Sequence, residues 1–307
     1  MALFSREKSR SSRSGRGAEE SDPARRGILY LIAGGVTLVA GTVLVLHAMY
    51  RQIQKRPDFH VDPLAVELVA APEWLPDPLA RDLQYGHGLP AQPISVFASG
   101  LEQIVAERYA KHPWVETVHA VHVVYPGQVE VELELRRPAA FVQSGDGRAL
   151  PIDRHGIRLP DLPNDDHRLR HLWLPLLLGV LRPAPPVGEP WNDRAIHEGV
   201  ALVEALREPY QKYLSRSLRF GAIDVSNVGG RVNPLDSELA FVSAEQVLVE
   251  WGRSPASPNP DPMRLEEKLR NLRSALVEYP GLVGLSRVKL DEPHGPVVVP
   301  ASTARIR

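Results

Sequence analysis

The sequence predicts an α+β protein: one N-terminal transmembrane helix, a small α+β domain, then a mostly antiparallel β domain with flanking helices. Three observations predict it. The run that opens on Ile28 and closes on Tyr50, ILYLIAGGVTLVAGTVLVLHAMY, has no charged side chain. It is about 23 residues long, and an apolar helix needs about 20 to cross the hydrocarbon of a bilayer. Val129, Val131, Leu133 and Leu135 alternate with Glu130, Glu132 and Glu134, the period of a strand with one buried and one wet face. Further on, short apolar runs are separated by Pro- and Gly-rich turns and interrupted by two helical patterns.

Composition bounds the function classes. Charged residues make up 24% of the 307, so the chain beyond the apolar run is too polar for further spans. Net charge is -1, which gives no electrostatic argument for nucleic-acid binding. There is no cysteine, which excludes disulfides, thiolate metal sites and cysteine nucleophiles. Residues 1–27 read as a disordered cytoplasmic tail carrying Arg6, Lys8, Arg10, Arg13, Arg16, Arg25 and Arg26. Only Arg51, Lys55 and Arg56 follow the apolar run closely, so the positive-inside bias places the N-terminus in the cytoplasm and the bulk outside. Ala33, Thr37 and Gly41 recur at the four-residue spacing that lets two membrane helices approach.

Residues 51–61 read as a linker and 62–137 as the first outer domain. Leu64 to Leu68 alternate like a strand, and residues 71–93 read as irregular. Ser99 with Glu102 has the pattern of a capping box, opening a helix with Leu101, Ile104, Val105, Arg108 and Tyr109 along one side. Pro113 ends it, Trp114 anchors the corner, and two strands meet at Tyr125-Pro126-Gly127-Gln128, the composition of a type II turn. His119 and His122, three apart in a strand, are expected on opposite faces and so share no metal.

Residues 138–293 read as the second domain and 294–307 as a tail. Asp153 and Gly156 supply a turn, and 174–179 a compact strand. Asn192 or Asp193 caps a helix bearing Ile196, Val200 and Val203. Strands follow at 218–225, 237–242 and 246–251. Asp261 as cap and Pro262 as first residue open the next helix, lined by Leu265, Leu269, Leu272 and Leu276 with Lys268, Arg270 and Arg273 largely outside that face. A last strand covers 285–290, and 297–299 could form a short edge strand.

The ordered series Pro113, Trp114, Val115, Tyr125, Pro126, Arg136 and Pro138 behind a single anchor resembles the FtsQ/DivIB cell-division family, and there its POTRA domain. Leu135 stands where that family usually has Glu. The resemblance continues into the family's β domain through Ile152-Asp153, Gly156, Pro175, Gly179, residues 223–226, Gly252, Lys268-Leu269 and Val288-Lys289-Leu290. It implies a non-catalytic, cofactor-free scaffold of the bacterial inner membrane at the division septum, binding coiled-coil partners of the FtsB/DivIC and FtsL kind. It also implies a contact in which a partner segment adds to the edge of the last strand at Val288, Lys289 and Leu290, with Lys268 and Leu272 nearby. Asp291 and Glu292 stand where the family carries Arg and an aromatic residue. A membrane-anchored POTRA-type chaperone or secretion accessory is the alternative. No nucleophile–base constellation, phosphate loop or metal-ligand spacing is visible. Asp165-Asp166-His167 has metal-binding residue types but reads as a solvated loop.

Overall fold

The computed structural model describes residues 23–61, 66–87, 94–163, 167–259 and 261–301. The N-terminal tail through residue 22, Leu64 of the first expected strand, and Asp165 and Asp166 lie outside the described residues. The chain divides into two units, residues 1–57 and 58–307.

Among the described residues the first unit is built on one long helix, α1 (Pro23–Gln54), whose section Gly27–Gln54 contains an 18-residue stretch of mean hydropathy 2.3 with no buried residue. From Ile28 to Leu46 the helix is apolar all round apart from two threonines, yet none of these side chains is buried, which suits lipid rather than a protein core. Within it, the Thr37 and Thr42 hydroxyls donate to the carbonyls of Ala33 and Leu38, the local route for satisfying a hydroxyl without water. The helix runs past Tyr50, so the linker expected from residue 51 starts later.

The second unit contains two hydrophobic cores. Strands β1 (His60–Val61) and β3 (Ile94–Ser95) pair antiparallel, so the end of the expected linker is already sheet. Strands β2 (Val66–Val69), β4 (Val115–Val124) and β5 (Gln128–Leu135) form a three-stranded sheet in the order β2-β5-β4, with β2 parallel to β5. Val129 and Val131 are buried as the alternation predicts. Glu132 and Glu134 are exposed and Glu130 half-buried. The hairpin turns where expected, with a cis Tyr125–Pro126 peptide that the type II expectation did not foresee.

The stretch expected to be irregular contains α2 (Asp77–Asp82), which continues into a π turn, Leu83–His87. A proline at its first turn costs no helical bond, and Leu79 and Leu83, four apart, are buried. Helix α3 (Leu101–Tyr109) is capped by Gly100 at φ 78°, with no side-chain cap, so Ser99 does not serve. Its buried residues are Leu101, Val105 and Tyr109, whereas Ile104 and Arg108 face solvent. Tyr109 donates its hydroxyl to the Leu83 carbonyl at 2.8 Å, and burial raises its pKa. His119 and His122 are both exposed. The register shift between Val118 and Ala120 breaks the alternation expected between them: His119 lies in it and reaches Glu134 at 3.6 Å, while His122 sits opposite Glu130 on the same face of β5.

The larger core lies under an eight-stranded sheet. Its strands are β6 (Pro138–Gln143), β7 (Ala149–Asp153), β8 (Leu176–Leu178), β9 (Phe220–Asp224), β10 (Leu239–Ser243), β11 (Leu248–Gly252), β12 (Leu285–Lys289) and β13 (Val297–Pro300), ordered β13-β12-β11-β10-β9-β8-β6-β7. The sheet is mixed: β6–β8, β8–β9 and β11–β12 are parallel and the other pairings antiparallel. Helices α4 (Arg194–Pro209) and α5 (Leu265–Glu278) contribute Ile196, Val200, Val203, Leu269 and Leu272 to that core. Asp193 caps α4 by accepting from the Ala195 N–H at 2.9 Å. The cap of α5 is Arg264 rather than Asp261.

Candidate functional site

Of the residues that carry the sequence resemblance, Pro113, Trp114, Val115, Pro138, Asp153 and Gly156 gather where the two cores meet. Trp114 is buried with its ring 6.4 Å from Trp74, its carbonyl accepts from the Arg136 N–H, and Val115 is buried beside it. Pro113 is half-buried. Tyr125 is exposed with its ring 5.8 Å from Phe97, and Pro126 is exposed next to it. Pro138 starts β6 opposite Asp153. Buried Asp153 accepts from the Arg136 guanidinium and from the N–H groups of His155 and Ile157, all at 2.8 Å. Gly156, at φ 72°, closes that turn. Nearby, Glu116 of β4 accepts from Arg154 at 2.7 Å and faces His155. Burial raises the Glu116 pKa, but the Arg154 and His155 contacts outweigh it and hold the carboxyl below its usual range. Pro175 accepts from the Phe141 N–H. Gly179 sits at φ 84°, where a Cβ would lie 2.5 Å from that of Ser226, so only glycine lets these chain ends approach so closely.

The five residues expected to touch a partner lie together at the other end of the large sheet, but not as an open surface. Val288 and Leu290 are 0% exposed, and Leu272 and Lys268 1%. Only Lys289 is half-exposed, and it is bonded to Glu292 at 2.9 Å. The side chains of Lys268, Leu272, Val288 and Leu290 are core and offer a partner no surface, contrary to the expectation of a candidate surface there. Nor is β12 an edge. It pairs with β11 on one side and with β13 on the other. The expected C-terminal tail supplies that covering strand.

Lys268 was expected outside the apolar face. Its ammonium instead donates to the Trp251 carbonyl at 2.6 Å and to Asp261 at 2.7 Å, and lies 4.9 Å from the centre of the Trp251 ring. Burial lowers the lysine pKa against the opposing pull of Asp261. Burial would raise that of Asp261, but the Arg253 N–H, the Lys268 ammonium and the Met263 N–H outweigh it and hold the carboxyl below its usual range. Gly252, at φ 93°, makes room: a Cβ there would lie 2.5 Å from the Asp261 carboxylate. This cluster locks the loop between β11 and α5 and holds α5 under β12. Asn271 of α5 completes the support by donating to the carbonyls of Leu290 and Glu292. On the outer face, Arg287 pairs with Glu250 at 3.0 Å. Among the described residues no cluster of three or more His, Asp or Glu side chains could hold a metal.

Fold and site together define a protein with, among the described residues, one apolar helix of spanning length and an α+β unit whose candidate site is the end of a mixed sheet. Over 157 residues, 50% of this chain, the sequence is 31% identical to the cell division protein FtsQ of Salinibacter ruber. That stretch is 54% of the relative's own length, so the chain spans about half of the curated relative it matches. No protein-family model matches the chain. The similarity supports a divergent member of the FtsQ family.

Proposed function

We propose that this chain is a non-catalytic, single-pass scaffold of the bacterial division machinery. Its N-terminus lies in the cytoplasm, its α+β unit outside the inner membrane, and it binds FtsB/DivIC-like and FtsL-like coiled-coil proteins to assemble and regulate septal wall synthesis. The observation that carries this reading is the 31% identity to a cell division protein over half the chain. The spanning-length helix and the basic residues preceding it support the anchor and its orientation. The proposed contact uses β-augmentation, in which main-chain groups of a strand give affinity and alternate side chains give selectivity. With Val288 and Leu290 buried, the contact rests on backbone groups rather than on those side chains. Leu290 donates its N–H to Glu250 of β11, so by strand alternation Val288 faces β11 as well, and Arg287 and Lys289 present their main-chain groups to the far side.

Capture from membranes with the full chain as bait tests the reading. The expected result is specific enrichment of a small single-pass coiled-coil protein. Promiscuous recovery of unfolded polypeptides, with no such partner, would favour the chaperone alternative and overturn the scaffold reading.

A further inference from the structure

Any strand that adds to this end of the sheet meets β13, and β13 is built to stop growth. The Ala301 N–H donates to the Gly284 carbonyl at 2.8 Å, toward β12. Main-chain groups alternate sides along a strand, so Val299 and Val297 also face β12, in register with Arg287 and Lys289. Val298 and Pro300 then point away from β12, as does Pro296 just before the strand. Two of the three outward positions are prolines and lack an N–H, which leaves Val298 as the one donor. No further strand flanks β13 among the described residues. Proline at the outward positions of an edge strand is a recognised guard against further pairing.

The guard strand is lightly held. It is four residues long. Val297 and Val299 are 49% and 43% exposed, and only Val298 packs, in part, on the core beside Val288. The Ser286 hydroxyl reaches the Val299 and Pro300 carbonyls from the exposed side. Beneath it, β12 is fixed from behind by β11, α5 and the Lys268–Asp261 lock. A rigid strand covered by a short exposed one is a preformed seat with a replaceable occupant. Segments with few buried apolar contacts open locally without global unfolding.

We propose that β13 is a resident strand that occupies the partner's seat and is displaced when the partner binds. The inference rests on the β-augmentation reading above and adds its regulation. The seat takes an extended segment running antiparallel to β12, with a β-branched aliphatic residue in the place of Val298. Its main chain bonds to Arg287 and Lys289. Without the two prolines it would leave an outer edge open to a further strand. In the resting chain β13 prevents such pairing, including sheet-to-sheet association of two copies.

The test uses the chain's own strand as probe, a peptide of residues 293–301, against the full chain and against a chain ending at Glu292, both in detergent. The shortened chain is expected to bind the peptide, the full chain about tenfold or more weakly because the seat is seldom vacant, and a peptide carrying Val298→Asp not at all. A folded shortened chain that ignores the peptide, or a full chain that binds it equally well, would overturn the proposal. If shortening prevents folding, hydrogen exchange on the intact chain decides. The Val297 and Val299 amides are expected to exchange about tenfold or more faster than those of central strand β10; equal protection overturns the proposal. No division partner enters these measurements, so their failure leaves the division reading standing, and its failure leaves them intact.

Discussion

Asp261→Ala destabilises the α+β unit by about 3–5 kcal/mol, the cost of leaving a buried ammonium without its counter-charge. Lys268 is 1% exposed, and what would remain are the Trp251 carbonyl and ring and the more distant charge of Asp291. The carboxylate also accepts from the Arg253 and Met263 N–H groups, so the loop between β11 and α5 loses its anchor too. Lys268→Met costs far less, about 1 kcal/mol, because a flexible apolar chain of similar length fills the site and Asp261 keeps its two backbone donors. Urea unfolding followed by tryptophan fluorescence checks the asymmetry, and equal losses would contradict the lock. The pH dependence has a definite sign. A carboxyl held low in the folded state contributes its full stability above the unfolded aspartate value of about 3.9 and loses it as pH falls through the folded value. The gap between parent and Asp261→Ala therefore narrows on acidification below that value.

Asp153→Ala costs a comparable amount, about 3–5 kcal/mol, by removing the buried partner of Arg136 and the acceptor of two turn N–H groups. The site differs in what it joins. Arg136 follows β5 of the first sheet, whereas Asp153 ends β7 of the second. The first core also borrows Leu159 from the segment after β7. Loss of Asp153 should therefore weaken the coupling of the two cores as well as total stability. Trp74 and Trp114 report on the first core, and Trp173, Trp191 and Trp251 on the second. Calorimetry of Asp153→Ala is expected to give a broadened or split transition where the parent gives one. A sharp transition at the parental temperature would contradict the clip.

These two sites show what the sequence made legible. Asp153 and Gly156 read as a turn from spacing alone, but the Arg136 pairing joins distant strands and no local pattern announces it. Strand β5 was legible because one face is buried and the other wet, so burial wrote itself into a period of two. The α4 cap at Asp193 was legible because capping is local. Helix α2 was missed because prolines in 71–93 read as breakers, although a proline in the first helical turn, with Leu79 and Leu83 four apart, carried the signal. Strand β6 is hidden in the sequence because it opens on proline and its apolar run does not alternate. Lys268 is not legible as buried because a charged side chain ordinarily marks the exposed face of a helix. It lies four before Leu272 and seven before Ala275, on the buried face of α5. The partner edge was legible only in part: residues 285–290 form a strand, but whether that strand is free depends on what four later residues do. Sequence pattern places strands without ordering them in a sheet.

Imaging a fluorescent fusion of the full chain in dividing cells tests the central claim most directly. The account predicts accumulation at mid-cell as constriction begins, with recruitment lost when the seat beneath β13 is disabled by Lys289→Pro in a chain that still folds and reaches the membrane. A protein spread uniformly around the envelope throughout division would contradict it.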